Sequence, residues 1–144
     1  MKEVCITPIG VVERESDTNL KDKNSLSKIL LRKDLEPALE GIEDFSHLFI
    51  LFWMHRTSRE QRSRLKTHPR GRHEMPLLGV YATRTPSRQN PIGLTLVELV
   101  RRNGNILAVK GLDAFDGTPI LNIKPYDEWD TPKHYKVPDW WEKL

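Results

Sequence analysis

Leu48-Phe49-Ile50-Leu51-Phe52-Trp53-Met54 is the densest apolar run in the chain, and it limits the fold more than any other segment. It is rich in aromatics and too short for an amphipathic helix. Read as a strand, its side chains alternate, so His47, Phe49, Leu51, Trp53 and His55 share one face. Leu48, Ile50, Phe52 and Met54 share the other. Both faces are apolar, which makes the run a central strand of a closed or covered sheet.

The punctuation around it is that of an all-β protein. Val4-Cys5-Ile6-Thr7 and Ile9-Gly10-Val11-Val12 form an opening strand, bent at Pro8. A polar loop runs from Arg14 to Lys28, and Ile29-Leu30-Leu31 is a short strand. Glu36 to Glu40 reads as a turn or two of helix closed by Gly41. Leu77 to Thr83 and Leu94 to Val100 are further strands, separated by the loop from Arg84 to Gly93. Asn103-Gly104 signals a type I′ hairpin returning through Ile106 to Val109. Asp116-Gly117 makes another turn, and Ile120 to Ile123 is the last clear strand. The tail from Asp127 is irregular until a short terminal helix. About seven short strands, little helix and one long basic loop predict a barrel or a sandwich.

At 144 residues the chain fits one domain. A single cysteine, Cys5, excludes an internal disulfide framework, and its place in an apolar strand reads as a small core residue. Neither a membrane-length apolar stretch nor a signal-peptide layout occurs, so a soluble cytoplasmic protein is expected, with no membrane partner. The net charge is only +3, yet Arg56, Arg59, Arg62, Arg64, Lys66, Arg70 and Arg72 crowd one segment against Glu60 alone. Such a block serves a polyanion partner or is simply a solvated loop.

Missing motifs narrow the chemistry. No G-x-G-x-x-G, P-loop or G-x-S-x-G occurs, and His68 and His73 lack the spacing and the carboxylate of a zinc site, so no metal is expected. What remains is polar density at strand ends. Arg84, Arg88, Gln89 and Asn90 crowd a loop stiffened by Pro86 and Pro91. Ordering such a loop costs conformational entropy, which points to presentation of functional groups, although the prolines could merely turn a corner. Asp116 has a turn role; Asp113 has none. Tyr126, behind Lys124-Pro125, either stacks on a base or closes the barrel end. His47 reads as a hydrogen-bonded core histidine, whereas His55 lies where the strand opens into the basic segment.

These places also carry a family pattern. The segment Gly41-Ile42-Glu43-Asp44-Phe45-Ser46-His47-Leu48 resembles the G-x-x-x-F-S-H-L element of TsaA-like (TrmO) proteins. The stretch from Gly79 through Tyr81-Ala82-Thr83-Arg84 to Asn90-Pro91-Ile92-Gly93-Leu94 is similar to that family's central signature. Asp113 and the run from Asp116-Gly117-Thr118-Pro119 to Tyr126 resemble its third block, and Pro8 to Val12 its opening. The resemblance implies a closed all-β barrel over 1–128, a tail over 129–144, and a homodimer. It also implies S-adenosyl-L-methionine as cofactor and methylation of N6 of threonylcarbamoyl-adenosine in tRNA. Implied cofactor contacts are His55, Arg56, Arg84, Gly93, Leu94, and the turn Gly111, Leu112, Asp113, Ala114 and Phe115. The family's Pro-Arg-Gln element in the first loop is absent here, where the chain reads Asp17-Thr18-Asn19-Leu20-Lys21-Asp22.

The combined expectation assigns Asn90 to orienting the methyl acceptor. Arg59, Arg62, Arg64, Arg70, Arg72, Arg88 and Lys124 are expected to grip RNA phosphates, with Tyr126 beside them. The alternatives are a methyltransferase of a small molecule or protein, and a barrel that binds without catalysis.

Overall fold

Alternation sets the architecture. In the computed structural model, which describes residues 1–144, the strands are β1 (Gly10–Glu13), β2 (Leu26–Leu31), β3 (His47–Trp53), β4 (Lys66–Thr67) and β5 (Leu78–Gly79). They continue with β6 (Ile92–Asn103), β7 (Ile106–Lys110) and β8 (Pro119–Pro125). Six of these, in the order β1-β2-β7-β6-β3-β8, close into a barrel in which every pairing is antiparallel. Closure leaves the barrel no sheet edge, and β3 is hydrogen-bonded on both sides, to β6 and to β8. Its Leu48, Ile50 and Phe52 point inward and are buried, while His47, Phe49, Leu51 and Trp53 point outward and are half-buried. Val12, Ile29, Val97, Leu107, Val109 and Ile120 complete the interior from the other strands. Each fully buried Leu or Ile stabilises the barrel by about 1.5–3 kcal/mol.

The chain divides into two compact units. The barrel unit comprises Met1–His55 and Ile92–Tyr126. The second comprises Arg56–Pro91 and Asp127–Leu144 and contains the small β4–β5 sheet. The second unit also holds α1 (Arg59–Arg62), a single turn inside a segment whose composition is that of a loop. Ser58-Arg59-Glu60-Gln61 is a capping box: Ser58 Oγ accepts from Gln61 N at 3.1 Å, and Gln61 Oε1 accepts from Ser58 N at 2.8 Å.

The structure corrects several local readings. The opening strand begins only at Gly10; Val4 and Ile6 lie exposed, and so does Cys5, which is no core residue. β2 reaches back to Leu26, into the expected loop, because its register with β7 continues from Leu30↔Ile106 to Leu26↔Lys110. The strand expected over Leu77–Thr83 pairs for only two residues and then coils into a 3₁₀ turn at Val80–Ala82. There the Thr83 hydroxyl donates to Val80 O at 2.8 Å, offering the backbone an alternative to a ladder. The β6–β7 hairpin turns on Gly104-Asn105, since Asn103 already pairs with Ile106. Only Gly104 has positive φ, 62°, which is the type II′ pattern rather than I′.

Candidate functional site

Within the barrel unit, the end of β7 leads into the turn Gly111–Phe115, which Arg14 holds from beneath. Arg14 is 9% exposed; its Nη1 donates to the carbonyls of Leu112 at 2.9 Å and Ala114 at 3.0 Å, and its Nε to Ser16 O at 2.8 Å. The first loop supplies two more ties: Arg14 N donates to Asp116 Oδ1, and Asp116 N donates to Asp17 Oδ1. Gly111 takes φ 86° and lies so close to Lys23 that a Cβ would sit 3.2 Å from its carbonyl oxygen. Leu112 and Ala114 are buried in the core, so only their backbone can meet a ligand. Asp113, between them, is exposed and accepts a hydrogen bond from Thr95 Oγ1 on β6. β6 and the turn are thus joined at the step next to Leu94, which is 61% exposed. Gly93 is buried, and any side chain there would strike the Phe52 ring.

Just past the C-terminal end of β3, the end that pairs with Ile92 and Gly93, His55 Nδ1 is buried and has no hydrogen-bond partner. His47 is half-buried, and its Nδ1 shares a 2.8 Å hydrogen bond with Ser46 Oγ. Tyr126 packs edge-on against His47 and Phe49, with centroids 6.4 and 5.7 Å apart, as part of the outer barrel wall. A cavity of about 550 Å³ opens between the first loop and the outer face of β2, lined by Arg14, Asn19, Ser25, Lys28 and Arg101 among others.

The second unit carries the basic block and the proline-stiffened loop. The side chains of Arg59, Arg64 and Lys66 are exposed and make no hydrogen bond or ion pair. Arg62 is half-buried and reaches Thr57, at 3.4 Å to Oγ1 and 3.3 Å to the carbonyl. Arg70 donates to Leu144 O, and Arg72 to Lys143 O at 2.8 Å and Glu74 at 2.6 Å. Glu74's own backbone N–H, and then Arg72, hold its carboxyl below the usual carboxylate range. The guanidinium of Arg84 lies 6.0 Å from the Trp141 ring centroid. Arg88 is committed to its own loop: Nε donates to Thr85 O at 2.7 Å, and Nη2 to the carbonyls of Val80 and Thr83. Asn90 is exposed in a left-handed conformation, φ 57°.

The expected residues therefore separate by unit. Gly93, Leu94 and Gly111–Phe115 come together at one end of β6, with Thr95–Asp113 as the link. Arg56, Arg84, Asn90 and the basic block belong to the second unit. Arg14 and Asp17, which shape the turn, sit in a stretch whose sequence reads only as loop. An arginine just past the opening strand is the one hint of Arg14, because its partners lie about a hundred residues away. No group of three or more His, Cys, Asp or Glu side chains gathers as metal ligands do, and no helix is long and apolar enough to cross a membrane.

Comparison with known proteins places this geometry. A sequence model of the tRNA-methyltransferase O N-terminal domain matches residues 16–130. A probable S-adenosyl-L-methionine-binding protein of Methanothermobacter thermautotrophicus is 42% identical over 132 residues, 88% of this chain and 92% of that protein. A tRNA (adenine(37)-N6)-methyltransferase of Mus musculus is 38% identical over 119 residues, 79% of this chain but 27% of that protein. A crystal structure of TrmO is similar with a TM-score of 0.76 at 27% identity, covering 94% of this chain and 64% of that one. The chain thus spans less than two thirds of the TrmO structure and about a quarter of the mouse enzyme. With the match across most of its length and a barrel of the same fold, the chain belongs to the TrmO N-terminal domain family.

Proposed function

We propose that this protein is an S-adenosylmethionine-dependent methyltransferase that modifies N6 of threonylcarbamoyl-adenosine beside the tRNA anticodon. The observation that carries the reading is His55, whose buried Nδ1 makes no hydrogen bond. Leaving such an atom unpaired costs about 1–3 kcal/mol, a cost that a ligand completing the bond removes. The residue types also fit the cofactor, which bears an ammonium, a carboxylate and an adenosine. Asp113 offers an acceptor beside Thr95 and the Gly111–Phe115 backbone offers amides and carbonyls, all within the barrel unit; Arg84 and Arg56 are cations of the second unit. Bound there, S-adenosylmethionine supplies a methyl group on a positively charged sulfur.

The chain's own contribution is placement, because transfer needs the acceptor nitrogen in line with the methyl carbon. Asn90, presented by a left-handed backbone between Gln89 and Pro91, orients the acceptor with its amide. Arg59, Arg64 and Lys66 hold phosphates of tRNA, with Lys124 at the end of β8 as a further cation. Leu94 and Leu96, 61% and 36% exposed, lie beside Leu51 and Phe49 on the outer wall and form an apolar strip that a second copy covers in a cytoplasmic homodimer.

Titration calorimetry with S-adenosylmethionine, followed by labelled methyl transfer to unmethylated tRNA, tests the reading. Saturable binding and label in tRNA are expected. Absence of binding overturns it, and binding without label in tRNA transfers the case to a small-molecule substrate or a non-catalytic barrel.

A further inference from the structure

Tyr81 is 76% exposed, although Val80 before it is buried at 3% and Thr83 beyond it at 8%. An aromatic ring left in water gains little from folding, so mobility would be its ordinary state. Here the loop denies it that freedom. Arg88 donates to Val80 O at 2.6 Å and also to Thr83 O, gripping the backbone on both sides of Tyr81 with one nitrogen. Nε of the same guanidinium holds Thr85 O at 2.7 Å, and Thr83 Oγ1 closes the 3₁₀ turn on Val80 O. The guanidinium itself lies 6.0 Å from the Tyr81 ring centroid, within cation–π range. Arg88 thus serves as a prop for an exposed ring, its donors turned to carbonyls rather than outward to phosphate.

The surroundings indicate what such a ring meets. The second unit carries 12 Lys and Arg against 7 Asp and Glu, whereas the barrel unit carries 11 against 13. A fixed, solvent-facing aromatic on a cationic body is the arrangement that binds unpaired bases, since every base has a π-face and no ordering cost remains to be met. Paired bases in a duplex are already stacked and offer no free face.

We infer that Tyr81 is a stacking platform for an unpaired nucleobase of the RNA substrate, with Arg88 as its positioning residue; this rests on the RNA reading above. The test compares an RNA hairpin with an unpaired loop against a duplex of the same stem, by fluorescence anisotropy over a salt series. Tyr81→Ala and Tyr81→Leu should weaken hairpin binding by about tenfold, and Tyr81→Phe should bind as wild type. Duplex affinity and the slope of log K against log salt should not change, because no phosphate contact is lost. Thermal melting should also be unchanged for these exposed substitutions. Wild-type hairpin affinity in Tyr81→Leu overturns the inference, as does an equal loss on hairpin and duplex. Failure of the wild type to bind either RNA overturns the RNA reading itself, a result distinguishable because it appears before any substitution is made.

Discussion

Replacing Arg14 by Met keeps most of the apolar stem and removes the guanidinium. Three hydrogen bonds go with it, to Ser16 O at 2.8 Å, Leu112 O at 2.9 Å and Ala114 O at 3.0 Å. Hydrogen bonds to a charged group contribute about 1.5–3 kcal/mol each, but they share one side chain and its desolvation, so they do not add. What stays behind costs more: the carbonyls of two buried residues, Leu112 and Ala114, lose their partner. A loss of about 3 kcal/mol is expected, seen as a lower urea midpoint with an unchanged slope, or as a fall in Tm of roughly 10 °C. Arg14→Lys should recover only part of it, because an ammonium cannot span three carbonyls in a plane. The turn that Arg14 holds presents Asp113, so S-adenosylmethionine affinity should fall at a temperature where the variant is still folded. A variant with the wild-type midpoint would refute the account, since the bonds would then contribute nothing over solvent.

Arg84→Ala should weaken S-adenosylmethionine binding at least about tenfold in calorimetry without unfolding the protein. Trp141→Ala, which removes only the ring 6.0 Å from that guanidinium, is the control that separates a lost stack from a lost ligand contact. Changing Arg59, Arg64 and Lys66 together to Ala should lower the salt slope of tRNA binding by about 2, at roughly 0.7–0.9 per phosphate, and leave cofactor affinity intact. An unchanged slope would make the block a solvated surface. Gly104→Val forces a β-branched residue to φ 62° in the β6–β7 turn and should cost about 1–2 kcal/mol or more by thermal melting. Melting at the wild-type temperature would remove that turn as a determinant of the hairpin.

Much of the barrel is legible in the sequence because its signal is local and periodic. The inward and outward sets on β3 follow from alternation alone, and Leu48, Ile50 and Phe52 are indeed the buried set. Asn103-Gly104 locates the hairpin but not its register, since Gly104 next to Asn105 satisfies a two-residue turn equally well. The 3₁₀ turn after β5 is hidden for a different reason. Val80-Tyr81-Ala82 has strand-like composition, and the Arg88 and Thr83 side chains that bend it lie downstream of it. Local propensity loses there to specific hydrogen bonds. Cys5 fails in the opposite direction: an apolar neighbourhood in sequence does not bury a residue whose backbone finds no partner strand.

The first loop shows the same limit at the site itself. Its composition, Arg14 to Ser25, is that of an exposed connection, and it lacks the triplet by which relatives are expected to touch the cofactor. Yet the loop is tied to the Gly111–Gly117 turn at both ends of that turn. Gly111 N donates to Ser25 O at 3.0 Å, Arg14 caps Leu112 and Ala114, and Asp17 accepts from Asp116 N at 2.7 Å. These bonds join residues from 86 to 100 positions apart, and such partners leave no mark on a window of neighbouring residues. The loop supplies support, fixing the backbone from which Asp113 projects. Loss of the triplet need not abolish a site whose geometry depends on Arg14 and Asp17. Asp17→Ala should then lower cofactor affinity through the turn, and an affinity equal to wild type would limit the loop's role to Arg14 alone.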